Sequence, residues 1–577
     1  PPCVERMAGE GMKLTSFYAA PVCSVSRAQV LTGCYGARVS VPGVYFPASA
    51  QGLHPQEITI AERLKELGYA TQCIGKWHLG DQPDFLPTKQ GFDHYFGIPY
   101  SNDMQKKSKA TGERVAPLLR DEQVVELLAD ADQSRIVERY TAEAVGFIRN
   151  HQDQPFFLYL PHSAVHTPIH PGEKFRGKSA NGRFGDWVEE VDWSVGQVLD
   201  SLRELKLDEN TLVLFTSDNG PWLVKGPDGG NANPLRGGKG STWEGGVREP
   251  TIAWWPGKIA PHSVCDAVAG TIDLLPTCVT IAGGTTPAEP VIDGRDLSSI
   301  LLGKSTQSQR EAHYYFSGYN LQAVRQGPWK LAIAAQADSQ AGARSADDPK
   351  TIPRLYHLDH DIGETTNNAD QYPEVVAKLK ALAAKMNDEI GGPSPKSRRP
   401  AGVVKDPQPL YPFDEPVPAN DHRKPIALNQ MKPGDSVASK SAPQIAGKAF
   451  TLICQFETEL RDTIIVAHGG SSAGYALHLD DGRVVFSVRT GAKGAITEVR
   501  SEPITGPVKV SASVGHDGML TLTVKDQPVV KGNAPGPIPR QPQEDFCLGI
   551  DNGQPVTTYP RWKPFVGSVT ELQVTIP

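Results

Sequence analysis

Residues 59–80 read TIAERLKELGYATQCIGKWHLG, and the order of elements in this stretch decides the fold. Thr59 followed three residues later by Glu62 has the form of a capping box, in which each side chain satisfies the other residue's free amide. It opens a helix that runs to Leu67, and Gly68 is its stop, because glycine enters the left-handed region without a steric penalty. Ala70 to Ile74 follow as a strand that delivers Gly75-Lys76-Trp77-His78 at its C-terminal end. The same grammar recurs downstream. Phe156 to Leu160 is a continuous apolar run, as expected of a buried parallel strand, and it ends at Pro161-His162-Ser163-Ala164-Val165-His166. From Val188 the positions Val191, Val195, Val198, Leu199, Leu202 and Leu205 form one helical stripe. Thr211 to Phe215 is a third strand, running into Ser217-Asp218-Asn219-Gly220. Strands alternating with helices predict an α/β fold with a mostly parallel central sheet flanked by helices. Each strand releases polar residues at its C-terminal end, where open α/β sheets place their ligands.

The 577 residues are enough for two to four domains with full cores. We place the α/β domain at residues 1–310 and a small α+β subdomain at 311–390. The latter has strands at Tyr314–Phe316 and Lys330–Ile333 and a helix from Glu374 to about Met386. Residues 391–440, rich in Pro, Lys and Asp, form a linker or an extended strap, and the run from Pro393 to Pro400 reads as a solvated basic patch. From 441 to 577 the pattern is all-β. Asp481-Gly482 and Asp517-Gly518 are hairpin signals, so a jelly-roll sandwich is expected. Hydrophobic residues at 39% and charged residues at 21% exclude a mainly disordered chain. A net charge of −7 argues against a general nucleic-acid binder, which needs a basic surface. No apolar run reaches about 18 residues, so no membrane span is expected. Eight cysteines without a CxxC pair exclude a zinc ribbon and a thioredoxin-type motif. Pro1-Pro2-Cys3 has neither the charged start nor the apolar segment of a signal peptide.

Four stretches carry chemistry. In Cys23-Ser24-Val25-Ser26-Arg27, followed by Leu31-Thr32-Gly33, the cysteine is expected at or just ahead of a helix N-terminus. Free N–H groups and the dipole there favour an anion or a thiolate. A small buried thiol is the competing reading. Lys76 and His78 lie two residues apart at a strand end and suit binding an oxyanion and moving a proton. A surface lysine beside a packed Trp and a satisfied His is the alternative. Asp218 and Asn219 offer two hard oxygen ligands for Ca²⁺ or Mg²⁺, or form a simple Asx turn. Residues 235–250, LRGGKGSTWEGGVREP, hold five glycines that allow close backbone approach, with Lys239 and Arg248 adding positive charge. His166 is a candidate proton donor.

Taken together and in this order, CSVSR…LTG, GKWHLG, DNG and GGKGSTWEGGVREP resemble the type I sulfatases of the alkaline phosphatase superfamily. The resemblance covers residues 1 to about 390, including Gly97-Ile98-Pro99-Tyr100-Ser101, Leu355 to Asp359 and Gly363 to Asn367. It implies that a formylglycine-generating enzyme oxidises Cys23 to formylglycine, whose hydrate attacks sulfur. It also implies that Arg27 and Lys76 hold the hydrate and that His78 assists its deprotonation. His166 and Lys239 would bind the sulfate and help the leaving oxygen, with Ser101 nearby or merely a loop serine. Asp218 and Asn219 would bind a divalent cation, usually Ca²⁺. The expected function is hydrolysis of a sulfate ester, in a sulfated glycan or small molecule, by a secreted or periplasmic enzyme. The rivals are a phosphoester or phosphonate hydrolase of the same superfamily and a catalytically silent glycan-binding protein.

Three departures stand out. Val25 replaces a usual Pro that the modifying enzyme reads, and Cys34 replaces a basic residue often found after Thr-Gly. The family also carries an Asp-Asp pair on a strand upstream of the nucleophile, whereas residues 1–80 contain no Asp. We expect a chain that starts late, with a divergent or inactive protein as the alternative. The all-β region resembles a laminin G or concanavalin-like module through its strand pattern and the ending Pro564 to Val569. It would serve as a glycan binder or a structural module, and Cys454 and Cys547 are a possible pair across it.

Overall fold

A computed structural model describes residues 2–336, 352–392, 395–413, 427–437 and most of 439–576. The first compact unit holds residues 1–223, 227–339 and 347–421, and the second is built on 422–577.

In the first unit the capping box forms as the sequence dictates. Thr59 Oγ1 accepts the Glu62 amide at 3.2 Å, and the Thr59 amide donates to Glu62 Oε2 at 2.8 Å. The helix Ile60–Glu66 leads through Gly68 (φ 85°) into the strand Ala70–Ile74. That strand pairs in parallel with His94–Gly97 on one side and Phe156–Tyr159 on the other. Beyond His94–Gly97 the sheet turns antiparallel through Arg114–Arg120 and Gln123–Leu128. A second sheet runs Val213–Phe215, Thr251–Trp254, Met12–Leu14, Ser263–Cys265, and only its last pairing is parallel. The core is therefore a mixed α/β fold, which corrects the expected mostly parallel sheet. Parallel neighbours need a crossover between them, commonly a long helix. The chain between Val213–Phe215 and Thr251–Trp254 has only short helical turns and returns antiparallel.

The strand read as buried differs from that expectation, and the third strand shares the difference. Phe156–Tyr159 and Val213–Phe215 are apolar yet only half-buried. Among the described residues each is paired along one edge only. The helix expected from Val188 begins earlier and spans Gly182–Glu204, with Leu199 and Leu202 of the predicted stripe fully buried.

The strands His313–Ser317, Asn320–Gln326, Trp329–Ala332 and Arg354–His357 form a four-stranded antiparallel sheet. The helix Pro373–Glu389 packs on it through Val376, Leu379 and Ala383. The Pro-rich segment after it is a strap over the described stretch 395–413. Gly402–Val403 pairs with Gln51–Gly52, and Tyr411 and Phe413 pack with Ala48 and Val115. The basic run is solvated only in part, with Lys396 exposed, and Pro393 and Ser394 lie outside the described residues. Arg398 stacks on Tyr319 at 3.8 Å and donates to the carbonyls of Ile390 and Gly392. Arg399 pairs with Glu57 at 2.8 Å and reaches Cys34 Sγ at 3.1 Å. A distant arginine thus brings a basic group to the Cys34 position.

The second unit is a sandwich of antiparallel sheets. Six strands in the order Ser436–Val437, Phe546–Leu548, Thr463–Gly469, Gly474–Asp480, Arg483–Arg489 and Ile496–Pro503 share one core with five others. Those five are Val530–Asn533, Met519–Val524, Val508–Val514, Phe450–Glu457 and Ser568–Thr575. Both predicted hairpins form, with Asp481 (φ 49°) and Gly482 (φ 72°) in one turn and Gly518 (φ 82°) in the other. Cys454 and Cys547 lie in different sheets and no disulfide joins them, which corrects the suggested pairing. Pro564 of the terminal signature lies outside the described residues.

Candidate active site

Cys23 is the first residue of the helix Cys23–Thr32, and Val22 ahead of it contributes no side-chain cap. The first amides of that helix therefore lack a capping side chain, and the dipole directs partial positive charge toward the Cys23 side chain. Ser26 fixes the entry, its Oγ accepting the Ala20 amide at 2.8 Å, and Gly33 (φ 67°) closes the helix.

One turn along, Arg27 ties three segments together. Its Nε and Nη2 donate to Asp218 Oδ2 at 3.0 and 2.7 Å, and its Nη1 donates to the Lys76 carbonyl. Burial alone would raise the Asp218 carboxyl, but Arg27, Lys76 and Lys239 hold it below the ordinary carboxylate range. Burial lowers the Lys76 ammonium, and the nearby Cys23 and Asp218 work against that shift.

A contact chain then crosses the site. Lys76 Nζ lies 3.3 Å from Ser101 Oγ, which lies 3.3 Å from His166 Nδ1. The Thr167 carbonyl accepts from His166 Nδ1 at 2.7 Å, so Nδ1 carries the proton. His166 Nε2 is then the lone pair that Lys239 Nζ donates to at 2.6 Å. Burial, then Lys239 and Lys76, push the imidazole well below its ordinary range and keep it neutral. His78 is arranged in the opposite tautomer. Its Nε2 donates to the Tyr45 carbonyl at 3.0 Å, and its buried Nδ1 has no partner. Burial, then Lys76 and Arg27, keep it neutral as well. His78 has a positive φ of 64°, a strained conformation for a side-chain-bearing residue that the surrounding packing must impose. Gly75 permits a close approach of the strand ends, since a Cβ there would lie 2.1 Å from the Pro161 carbonyl oxygen.

The glycine-rich segment wraps the other side. The Lys239 amide donates to the Pro221 carbonyl at 2.9 Å and the Gly240 amide to that of Pro21 at 2.8 Å. Its short helix Glu244–Val247 is anchored by the fully buried Glu244. Glu244 Oε1 lies 2.9 Å from Lys330 Nζ, which lies 2.7 Å from Glu364 Oε1. The Tyr18 hydroxyl donates to Glu244 Oε2 at 2.6 Å. Arg248 does not add its charge to the contact chain. It is taken up by Glu244, the Thr15 carbonyl and Ser16 Oγ.

Asn219 places a buried Oδ1 without a hydrogen-bond partner beside Asp218. An orphaned carbonyl oxygen and an ionised carboxylate suit a hard divalent cation as two of its six to eight oxygen ligands. Among the described residues, no three His, Cys, Asp or Glu side chains cluster to complete such a site.

The structure thus joins Arg27, Lys76, Ser101, His166, Lys239 and Asp218 by direct contacts, with Cys23, His78 and Asn219 beside them. Four neighbours escaped the sequence reading. Asn102 Nδ2 donates to the carbonyls of His166 and Pro168. Asp103 Oδ1 is 3.8 Å from His166 Nδ1. Trp222 lies against both His166 and Lys239. Glu249, buried beside Asp218, is pushed up to about 8 by burial and that carboxylate. Only their adjacency to Ser101, Asn219 and Arg248 marked them in the sequence.

Comparison with known proteins identifies the family. The sulfatase family model matches residues 1–284, and the model for the C-terminal region of aryl-sulfatase matches 308–403. N-acetylgalactosamine-6-sulfatase of Canis lupus familiaris is 37% identical over 63% of this chain and 76% of its own length. Arylsulfatase A of Homo sapiens is 38% identical over 66% and 82%. The PsFucS1 sulfatase from Pseudoalteromonas sp. superposes with a TM-score of 0.60 at 29% identity, over 68% of this chain and 86% of that one. By these matches the chain belongs to the sulfatase family and is a sulfuric ester hydrolase.

Proposed function

We propose that this protein hydrolyses a sulfate ester of a carbohydrate with Cys23 converted to formylglycine. The observation that carries this reading is the convergence of residues from six separate segments on one buried cationic cluster at the mouth of the Cys23 helix. A sulfate ester resists an oxygen nucleophile until its charge is neutralised, and Arg27, Lys76 and Lys239 supply that neutralisation in a low-dielectric setting. The converted side chain would supply a hydrated aldehyde as the nucleophile, and a divalent cation, Ca²⁺ or Mg²⁺, would polarise the sulfate oxygens.

The chain's own groups divide the remaining work. Arg27 fixes Asp218 in its ionised form for the cation, and the orphaned Asn219 Oδ1 is the second oxygen donor. Lys76 lies among the groups facing Cys23 and orients its substituent. His78, proton on Nε2 and lone pair on Nδ1, is poised to accept a proton at Nδ1. Lys239, bonded to the neutral His166, is the donor for the sulfate oxygens and the leaving oxygen. The half-buried apolar strands Phe156–Tyr159 and Val213–Phe215 each have an unpaired edge among the described residues, and their side chains pack around one cluster.

The carbohydrate assignment follows the relative named for N-acetylgalactosamine 6-sulfate, and a secreted or periplasmic setting follows from such a substrate. No helix among the described residues is long and apolar enough to cross a membrane. We assign the sandwich as a laminin G-like, jelly-roll glycan-binding module.

The test is intact mass of the tryptic peptide bearing Cys23 from the native host, together with rates on paired aryl sulfate and aryl phosphate esters. Thiol-to-aldehyde conversion and faster sulfate turnover are expected. An unmodified thiol supports a silent binding protein, and faster phosphate turnover a phosphoester hydrolase.

A further inference from the structure

Trp222 belongs to no element of the reaction described so far, yet it touches two of its members. Its ring centroid lies 5.3 Å from that of His166, at an interplanar angle of 43°. The Lys239 ammonium sits 4.7 Å from the centre of the indole, within cation–π range. The backbone that carries the indole is itself fixed. The Pro221 carbonyl accepts the Lys239 amide at 2.9 Å, and Gly229 lies so close that a Cβ on it would be 2.2 Å from the Trp222 carbonyl oxygen.

We infer that Trp222 is a positioning residue that holds the Lys239 ammonium against the His166 imidazole, so that the ammonium faces the sulfate as an oriented donor. The inference rests on the proposed sulfatase chemistry for its kinetic meaning, but the geometry it describes exists without turnover. A lysine side chain has four rotatable carbons, and one hydrogen bond to His166 leaves it free to swing about that bond. The face of the indole supplies a second point of attachment, and two points fix the direction in which the ammonium presents its remaining protons. The indole also shields His166 from water on one side. The charged and titratable groups that face His166 from the other elements are Lys239, Lys76, His78 and Asp103. Lys239 and Lys76 repel a proton on the ring, and the Asp103 carboxylate attracts one.

The experiment compares Trp222→Phe, Trp222→Leu and Trp222→Ala in the full chain. Phe keeps an aromatic face, Leu keeps apolar bulk without one, and Ala removes both. With an aryl sulfate, kcat/KM is expected to fall about 5- to 30-fold in the Leu and Ala variants and to stay within about threefold of wild type in Phe. Titration of 13C-labelled histidine by NMR, with His166 assigned through His166→Gln, gives a readout that needs no turnover. The His166 resonance in Trp222→Ala is expected to titrate at higher pH than in wild type, and Phe to restore the wild-type curve. A Leu variant as active as Phe would overturn the cation–π role, and an unchanged His166 titration in the Ala variant would overturn the positioning role. If no variant, wild type included, hydrolyses a sulfate ester, the proposed function fails while the NMR arm still decides the geometry.

Discussion

Lys330→Met is the perturbation whose outcome the buried network fixes most sharply. The ammonium lies within 2.9 Å of Glu244 Oε1 and 2.7 Å of Glu364 Oε1, donates to the Thr242 carbonyl at 2.9 Å, and is fully buried with both carboxylates. Methionine nearly conserves the volume, so the change isolates charge. Breaking a buried ion pair by removing one partner costs about 3–5 kcal/mol, because the charge left behind keeps its desolvation penalty. Glu244 retains Arg248 at 3.4 Å, Arg325 at 3.9 Å and the Tyr18 hydroxyl, so the uncompensated charge is that of Glu364. Burial already pushes Glu364 up to about 7, against the pull of Lys330. Without Lys330 it rises further. Its folded pKa then lies above its unfolded one, so the native state binds a proton that the unfolded chain does not, and stability rises as pH falls. The penalty of the variant is full above the new pKa of Glu364. It shrinks by up to about 1.4 kcal/mol for each pH unit down to pH 7, below which the wild type carries the same proton. Urea denaturation of the full chain between pH 7 and 9 measures this. Adding Glu364→Gln, which keeps an acceptor for the Glu244 amide, is expected to recover more than half of the loss and to flatten its pH dependence. A loss under about 1 kcal/mol at pH 9, or single-variant losses that simply add, would refute the account of Lys330 as the counter-charge.

Arg27→Lys keeps the charge but gives up the two-pronged contact with Asp218 and the bond to the Lys76 carbonyl, so aryl sulfate turnover is expected to fall by about 10² or more. Steady-state kinetics checks this, and retention of a tenth of wild-type kcat/KM would count against Arg27 as the organising residue. In the sandwich, burial lowers His468 to about 3 and His478 to about 4. Their folded pKa values lie below the ordinary histidine value, so the unfolded chain takes up protons first and stability is lost as pH falls below about 6.5. Each contributes about 1 kcal/mol per pH unit between pH 6 and 5. Hydrogen exchange of the 463–480 peptides, corrected for intrinsic rates, should show this loss of protection, and His468→Gln should remove about half of it.

Where a signal is local, the sequence carried it into the structure intact. The capping box at Thr59 and Glu62, the stop at Gly68, the strand Ala70–Ile74 and the hairpin turns at Asp481-Gly482 and Gly518 all depend on residues within a few positions of one another. The strand ends at Gly75, His166 and Asp218 were legible for the same reason. Sheet direction was not, because whether Thr251–Trp254 runs parallel or antiparallel to Val213–Phe215 is set by the path of the chain between them. Arg398 and Arg399 were misread because charge alone predicts solvent, and only the fold brings Tyr319, Glu57 and Cys34 to meet them.

The sequence by itself determined which residues offer charge and proton-transfer groups and at which strand ends they sit, since residue type and local backbone preference are written position by position. Tertiary structure alone decided how they act. The tautomers of His78 and His166 depend on the carbonyls of Tyr45 and Thr167, of which Tyr45 is far away along the chain. The ionised state of Asp218 depends on Arg27, and the placement of Lys239 on Trp222 and on an ion-pair network reaching to Glu364. Charge state and orientation are properties of a shared low-dielectric space, and that space exists only once distant segments have closed around it.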